Sequence, residues 1–398
     1  MEKRNQYVIV GVIVMLLAGV VYAWPVLSEP IGREFAEISA TKLSFTFTLC
    51  MISFCLGGIL GGILQKRTSP KIILLASGIL FALGFIASSR VKEISALYFT
   101  YGVLAGLASG LAYNTVMSVV IPWFQDCQGL ISGVLLMGFG FGSMILGYVY
   151  TACTQDQIGA WRNTFIEFGI LIALVCCLSA IFLKKKPLQD GTNIEINDSN
   201  DDTPPFQMFT KGLFWLYFLW AVLLSASGLA LIAQARSFAG IIANNYSSET
   251  IAFIVGLISI FNGVGRIFFG AIYDRIGRKK TMLLITIIFL VAVVTLILAQ
   301  LKNSFIFMII AFITAGFSYG GITPTNSAFV YSEYGELHYS ENLAFINLNL
   351  LFASFGGTIS GYLYDYYGSF LSTFFAMLLA GTLSMFIVFL MNRMTKEE

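Results

Sequence analysis

Charge is what this sequence has least of. Asp, Glu, Lys and Arg make up 11% of its 398 residues, where soluble domains carry roughly 25%. So few ions cannot cover a water-facing surface, and the deficit implies lipid around most of the chain. Histidine occurs once, as His338. Cys50, Cys55, Cys127, Cys153, Cys176 and Cys177 show no C-x-x-C spacing and have no histidine beside them. They read as small apolar filler, which leaves no metal centre, no disulfide framework and no cofactor to expect. Acid is missing from the apolar runs as well. Glu29, Glu167 and Asp365 fall near one set of ends, and Asp126, Asp274, Glu333, Glu336 and Glu341 fall in loops at the other. With neither a buried carboxylate pair nor a nucleophile and base, the sequence excludes an enzyme. A net charge of +2 without a basic patch excludes a nucleic-acid partner.

Apolar runs are what the chain has instead. Hydrophobic residues are 57% of it and the mean hydropathy is +0.82. Twelve runs are long enough to cross a bilayer, at 7–28, 43–64, 71–89, 95–121, 128–151, 163–183, 212–235, 250–273, 281–300, 304–330, 342–364 and 369–392. The first follows Lys3 and Arg4 with no small-residue cleavage site after it, so it is expected to stay as a span. Residues 184–211 are polar, contain Pro204 and Pro205, and read as a solvated linker between two halves, 1–183 and 212–398. The expected fold is an all-α membrane protein of twelve transmembrane helices in two six-helix halves. Lysine and arginine gather in alternate loops, at Lys66, Arg67 and Lys71, at Lys184–Lys186, and at Arg275, Arg278, Lys279 and Lys280. By the positive-inside rule both termini and the linker are cytoplasmic, in a plasma or inner membrane.

The halves repeat one another. Gly61–Lys71 matches Phe269–Lys279 at an offset of 208, and Met137–Thr151 matches Leu351–Asp365 at an offset of 214. A duplicated six-span unit is the pattern of a transporter whose substrate site lies between repeats near the bilayer midplane. One charge stands at such a depth. Arg266 is eight residues inside the polar boundary at Asp274, roughly 12 Å by helical rise. An arginine at the centre of a span costs about 2.5–3.5 kcal/mol on insertion scales, so it should face a cavity and an anion. Pairing with Asp274 along the same helix is excluded by the spacing. Asn262 sits one turn before Arg266 and is placed to hold its rotamer. Tyr22, Trp24, Tyr113 and Tyr319, in spans one, four and ten, are candidates to line the same cavity, with aromatic packing as the alternative for each. Glycine pairs such as Gly57–Gly61, Gly106–Gly110, Gly129–Gly133 and Gly316–Gly320 read as helix-packing devices.

Along its whole length the chain resembles the major facilitator superfamily. The loop motif G-x-x-x-D-R-x-G-R-[RK] is complete as Gly270, Asp274, Arg275, Gly277, Arg278 and Lys279. Its first-half copy is degenerate, keeping Arg67 but with Lys66 at the aspartate position and Ser69 at the second glycine. In that superfamily the acidic residue caps a neighbouring helix and stabilises one access state, so these residues form a conformational-switch loop. Val21-Tyr22-Ala23-Trp24, Gly106-x-x-x-Gly110-x-x-Tyr113, Trp161-Arg162 and Asn262-Gly263-x-Gly265-Arg266 are similar to the oxalate/formate-antiporter branch, and more distantly to monocarboxylate transporters. The resemblance makes Arg266 the substrate-facing arginine. Dicarboxylate exchangers of that branch also place a lysine on span eleven, where this sequence has Asn349. One cation with a neutral amide favours a monocarboxylate such as formate, lactate or pyruvate, carried by exchange or facilitated flow in preference to proton symport. Oxalate, another solute, or a transporter-like sensor are the alternatives. The expected partners are a small organic anion and the bilayer, with a monomer as the working unit.

Overall fold

The computed structural model describes residues 2–35, 40–154, 159–186, 202–243 and 245–397. Among them, eleven helices are long and apolar enough to cross a membrane. The longest, Phe253–Leu301, is two spans. Gly277 inside it has φ 73° and ψ 177°, a corner where one helical run ends and the next begins. Counting it as two gives α1 Arg4–Glu34, α2 Phe45–Arg67, α3 Pro70–Ser88, α4 Ile94–Trp123, α5 Gln128–Cys153, α6 Trp161–Phe182 and α7 Gly212–Ile242. Then follow α8 (253–276), α9 (278–301), α10 Phe305–Tyr334, α11 Tyr339–Tyr367 and α12 Leu371–Arg393.

Two sequence expectations need correction. The polar stretch after Asp274 is not an open loop: it stays helical on both sides of Gly277. Arg275 and Lys280 are exposed there, whereas Arg278 is buried. The linker is not solvated throughout either. Residues 187–201 lie outside the described residues, but Thr203 and Met208 are buried. The Thr203 amide donates to the Tyr334 carbonyl at 3.0 Å, and Pro205–Met208 forms a single helical turn.

The chain divides into two compact units. The first comprises Met1–Asp126, Val134–Thr203 and Tyr334–Phe345, so it includes the start of α11. The second comprises Cys127–Gly133, Pro204–Glu333 and Ile346–Glu398, so it includes the start of α5.

Glycine sets the packing inside each unit. In the first, a Cβ at Gly57, Gly106 or Gly110 would overlap the carbonyl oxygen of Leu107, Cys50 or Phe54, so α2 and α4 touch backbone to backbone. In the second, Gly265, Gly316 and Gly320 meet the carbonyls of Phe317, Ile258 and Asn262 in the same way, joining α8 to α10. Gly142 on the Leu16 carbonyl and Gly356 on the Ala226 carbonyl form a further matched pair. The duplication legible as sequence is thus also a duplication of contacts. Apolar helices in lipid gain little from burial, and close approach of small residues is what holds them. Large rings fill what remains. Tyr101, Phe85 and Phe165 pack together in the first unit. In the second, Tyr217 stacks on Phe329 at 3.7 Å, and the Trp220 indole donates to Thr286 Oγ1 at 3.0 Å.

Candidate functional site

The second unit assembles the polar part of the site on three helices. Arg266 is half-buried on α8. Backbone closes two sides of its turn: Gly133 of α5 lies against the Arg266 carbonyl, and Gly320 of α10 against the Asn262 carbonyl. Tyr319, beside that glycine, lies close enough for the Arg266 guanidinium to act on its hydroxyl electrostatically. The Tyr319 ring covers Gly228 of α7, where any side chain would collide with it. Asn262 is buried one turn before the arginine. The structure therefore gathers Arg266, Asn262 and Tyr319 where α7, α8 and α10 meet.

Asn349 belongs to the same unit. It is fully buried, and neither Oδ1 nor Nδ2 has a hydrogen-bond partner among the described residues. A buried amide left so costs about 1–3 kcal/mol. It opens the short turn Asn349–Ala353, after a break that follows Ile346. Asn347, in the break, accepts from Asn326 Nδ2 at 3.3 Å, and Asn326 Oδ1 accepts from the Tyr217 hydroxyl at 3.0 Å. This amide chain across α7, α10 and α11 escaped the sequence reading. Its trace was there as asparagines within apolar runs, at Asn326, Asn347 and Asn349.

Tyr22, Trp24 and Tyr113 belong to the first unit. Trp24 is buried, its indole donates to the Leu43 carbonyl at 3.0 Å, and its ring lies 4.4 Å from Tyr101. Tyr22 and Tyr113 both meet Phe139 edge-on at 5.5 Å, with Phe54 at 5.8 Å on the same ring. Phe139 is the centre of this aromatic wall and was not singled out from sequence, although it lies in the repeated glycine-aromatic run of α5. Tyr113 and Tyr319 do not occupy equivalent positions in the two repeats. The glycine contacts match Gly106 and Gly110 to Gly316 and Gly320, which puts Thr323 opposite Tyr113. By the offset of 208, Gly58 stands where the second half has Arg266, and Phe54 where it has Asn262. One repeat is polar at this level and the other aromatic.

Asp274 of the loop motif meets the start of α5. Asp274 Oδ1 accepts from the Gly129 amide and Oδ2 from the Leu130 amide, both at 2.8 Å, capping the start of α5. A carboxylate at a helix N-terminus meets both the unbonded amides and the positive end of the dipole. Gly270 and Gly129 make room, since a Cβ on either would overlap the other's carbonyl. Arg278 pairs with Glu333 at 3.1 Å, while Arg275 and Arg67 are exposed. The degenerate first-half copy makes a contact of its own. Lys66 Nζ reaches Glu341 Oε2, in the first turn of α11, at 2.6 Å.

Twelve apolar spans, a duplicated contact pattern and a capped switch motif meet one further observation: the family model of the Major Facilitator Superfamily matches residues 8–348. The chain belongs to the major facilitator superfamily. It is a multi-pass membrane transporter, not an enzyme. It is 29% identical to the oxalate:formate antiporter of Oxalobacter formigenes over 99% of this chain and 94% of that one. Monocarboxylate transporter 13 of Bos taurus is 23% identical over 92% of this chain and 84% of its own. Among solved structures, the proton:xylose symporter XylE shares the fold with a TM-score of 0.76 at 13% identity, covering 98% of this chain and 96% of that one.

Proposed function

We propose that this transporter carries small organic monoanions, with formate, lactate and pyruvate as the leading candidates, by alternating access with both termini cytoplasmic. The observation that carries the reading is Arg266, a cation within an apolar helix whose turn is closed by backbone contacts to Gly133 and Gly320. A guanidinium binds a carboxylate through two parallel N–H···O bonds, which fixes orientation as well as charge. Asn349 supplies an amide able to donate or accept without adding charge. Exchange or facilitated flow is favoured over proton symport because the acidic residues stand at the ends of the spans. A second reading, oxalate, is favoured by the full-length likeness to the oxalate:formate antiporter. Against it stands Asn349, which leaves a dianion one positive charge short.

Uptake of labelled formate, lactate, pyruvate and oxalate into proteoliposomes separates these readings. Monocarboxylates should enter, and Arg266→Ala should abolish entry while the protein still reconstitutes. Oxalate moving as fast as formate would overturn the monoanion assignment, and solute entry indifferent to Arg266→Ala would overturn the anion site.

A further inference from the structure

The corner at Gly277, where α8 gives way to α9, holds more positive charge than the second unit neutralises. An open cavity of about 330 Å³ lies there, lined by Ile276, Gly277, Arg278, Lys279, Lys280 and Glu333. Arg278 is buried and its Nη1 stands 3.1 Å from Glu333 Oε1, yet that nitrogen makes no hydrogen bond among the described residues. Asp274 is turned to the Gly129 and Leu130 amides. Arg275, Lys279 and Lys280 make no ion pair among the described residues. Since α9 begins at this corner, the positive end of its dipole adds to theirs. Gly277 keeps the space clear, with nothing within 4 Å of where a Cβ would stand.

Two of these cations also end apolar stripes. On α8 the exposed Ile260, Val264 and Phe268 follow one another at intervals of four, and Arg275 comes seven residues later. On α9 Lys280 is followed by the exposed Ile287, Val291 and Val294, at intervals of seven, four and three. Such intervals keep side chains on one helix face. Apolar side chains left exposed along a span meet acyl chains, so each stripe leads from hydrocarbon up to a charge beside the cavity.

We propose that this corner binds the phosphate headgroup of an anionic phospholipid, with the acyl chains lying along the stripes of α8 and α9. The phosphodiester supplies the negative charge that the corner lacks, and its oxygens accept from Lys279, Lys280 and the Arg278 guanidinium. A zwitterionic lipid brings its own cation and loses that advantage. Free phosphate meets the same donors but has no chains to lay on the stripes, so it binds more weakly. The site requires no particular transported substrate.

Native mass spectrometry and thermal melting of the full chain test this, in micelles holding phosphatidylglycerol or phosphatidylcholine with the same acyl chains. Phosphatidylglycerol should stay bound and raise the melting temperature above that in phosphatidylcholine. Lys279→Gln together with Lys280→Gln should weaken binding of phosphatidylglycerol about 10- to 30-fold, the worth of two cations at an anionic surface. The same double variant should melt as wild type does in phosphatidylcholine. Glu333→Gln, which removes the cavity's carboxylate, should tighten binding. Arg67→Gln with Lys71→Gln takes the same charge from the matching stretch of the first unit and should leave binding as it is. Undiminished binding in the Lys279 and Lys280 variant, or an equal loss in the Arg67 and Lys71 variant, would overturn the proposal. Displacement of phosphatidylglycerol by millimolar inorganic phosphate would overturn the lipid assignment in favour of a soluble anion.

Discussion

A single buried side chain can set which anions a carrier accepts, and Asn349 is the place to change that choice. Its amide is fully buried and its two polar atoms are without hydrogen-bond partners among the described residues. Asn349→Lys would supply a second cation in the unit that holds Arg266. A charge-assisted hydrogen bond contributes about 1.5–3 kcal/mol, so the affinity ratio of oxalate to formate should rise by about 10- to 100-fold, read by competition for uptake. Without ligand the variant should melt lower than wild type, and oxalate should restore more of that loss than formate does. An unchanged ratio would remove Asn349 from the site. At this scale the sequence disclosed what is costly and hid what is common. Arg266 stood out because a full charge in an apolar run demands a reason. Phe139, Asn326 and Asn347 did not, because rings and neutral amides occur throughout such helices, and only contacts separate the ones that act together.

Elements are joined here by glycine, and two different physical reasons for glycine make separable predictions. At Gly110 the reason is space: a Cβ would overlap the Phe54 carbonyl oxygen and lie 2.8 Å from the Gly58 amide nitrogen. Gly110→Leu must push α2 from α4, and it should lower both the melting temperature and the transport rate. At Gly277 the reason is backbone. Nothing lies within 4 Å of an added Cβ, yet φ 73° with ψ 177° is a conformation that essentially only glycine adopts. Gly277→Ala should therefore cost about 1–3 kcal/mol through strain alone, lowering the melting temperature measured in detergent without a clash to relieve. Gly58→Ala, with open space around it and ordinary backbone, is the control that should change neither. The packing role of these glycines was legible from their four-residue spacing. That helix runs up to Gly277 on one side and resumes directly after it was not, because polarity announces contact with water and says nothing about whether the backbone keeps its own hydrogen bonds.

For the whole molecule, the duplication was legible and its asymmetry was not. Repeated glycines and tyrosines gave away two six-span halves, since a packing constraint must be met twice. Lys66 and Glu341 are far apart in the chain and match no motif, so the reversed contact they make had no signature in either segment alone. The same asymmetry bears on energy coupling. Glu167 and Asp365 are exposed, and the histidine lies at the start of α11 with Glu341, a placement that favours exchange over carrying a proton with the anion. One-to-one proton symport under a one-unit pH gradient would accumulate solute about tenfold, the equivalent of one pK unit of free energy. Formate is the solute to use, because almost none of it is protonated at neutral pH. Imposing that gradient on proteoliposomes should change steady-state formate by less than about twofold, while loading the lumen with unlabelled formate should speed entry of the label. Strong acid-driven accumulation, with no acceleration by internal formate, would replace exchange with symport and send the search for a proton carrier to the substrate or to the Glu341 contact.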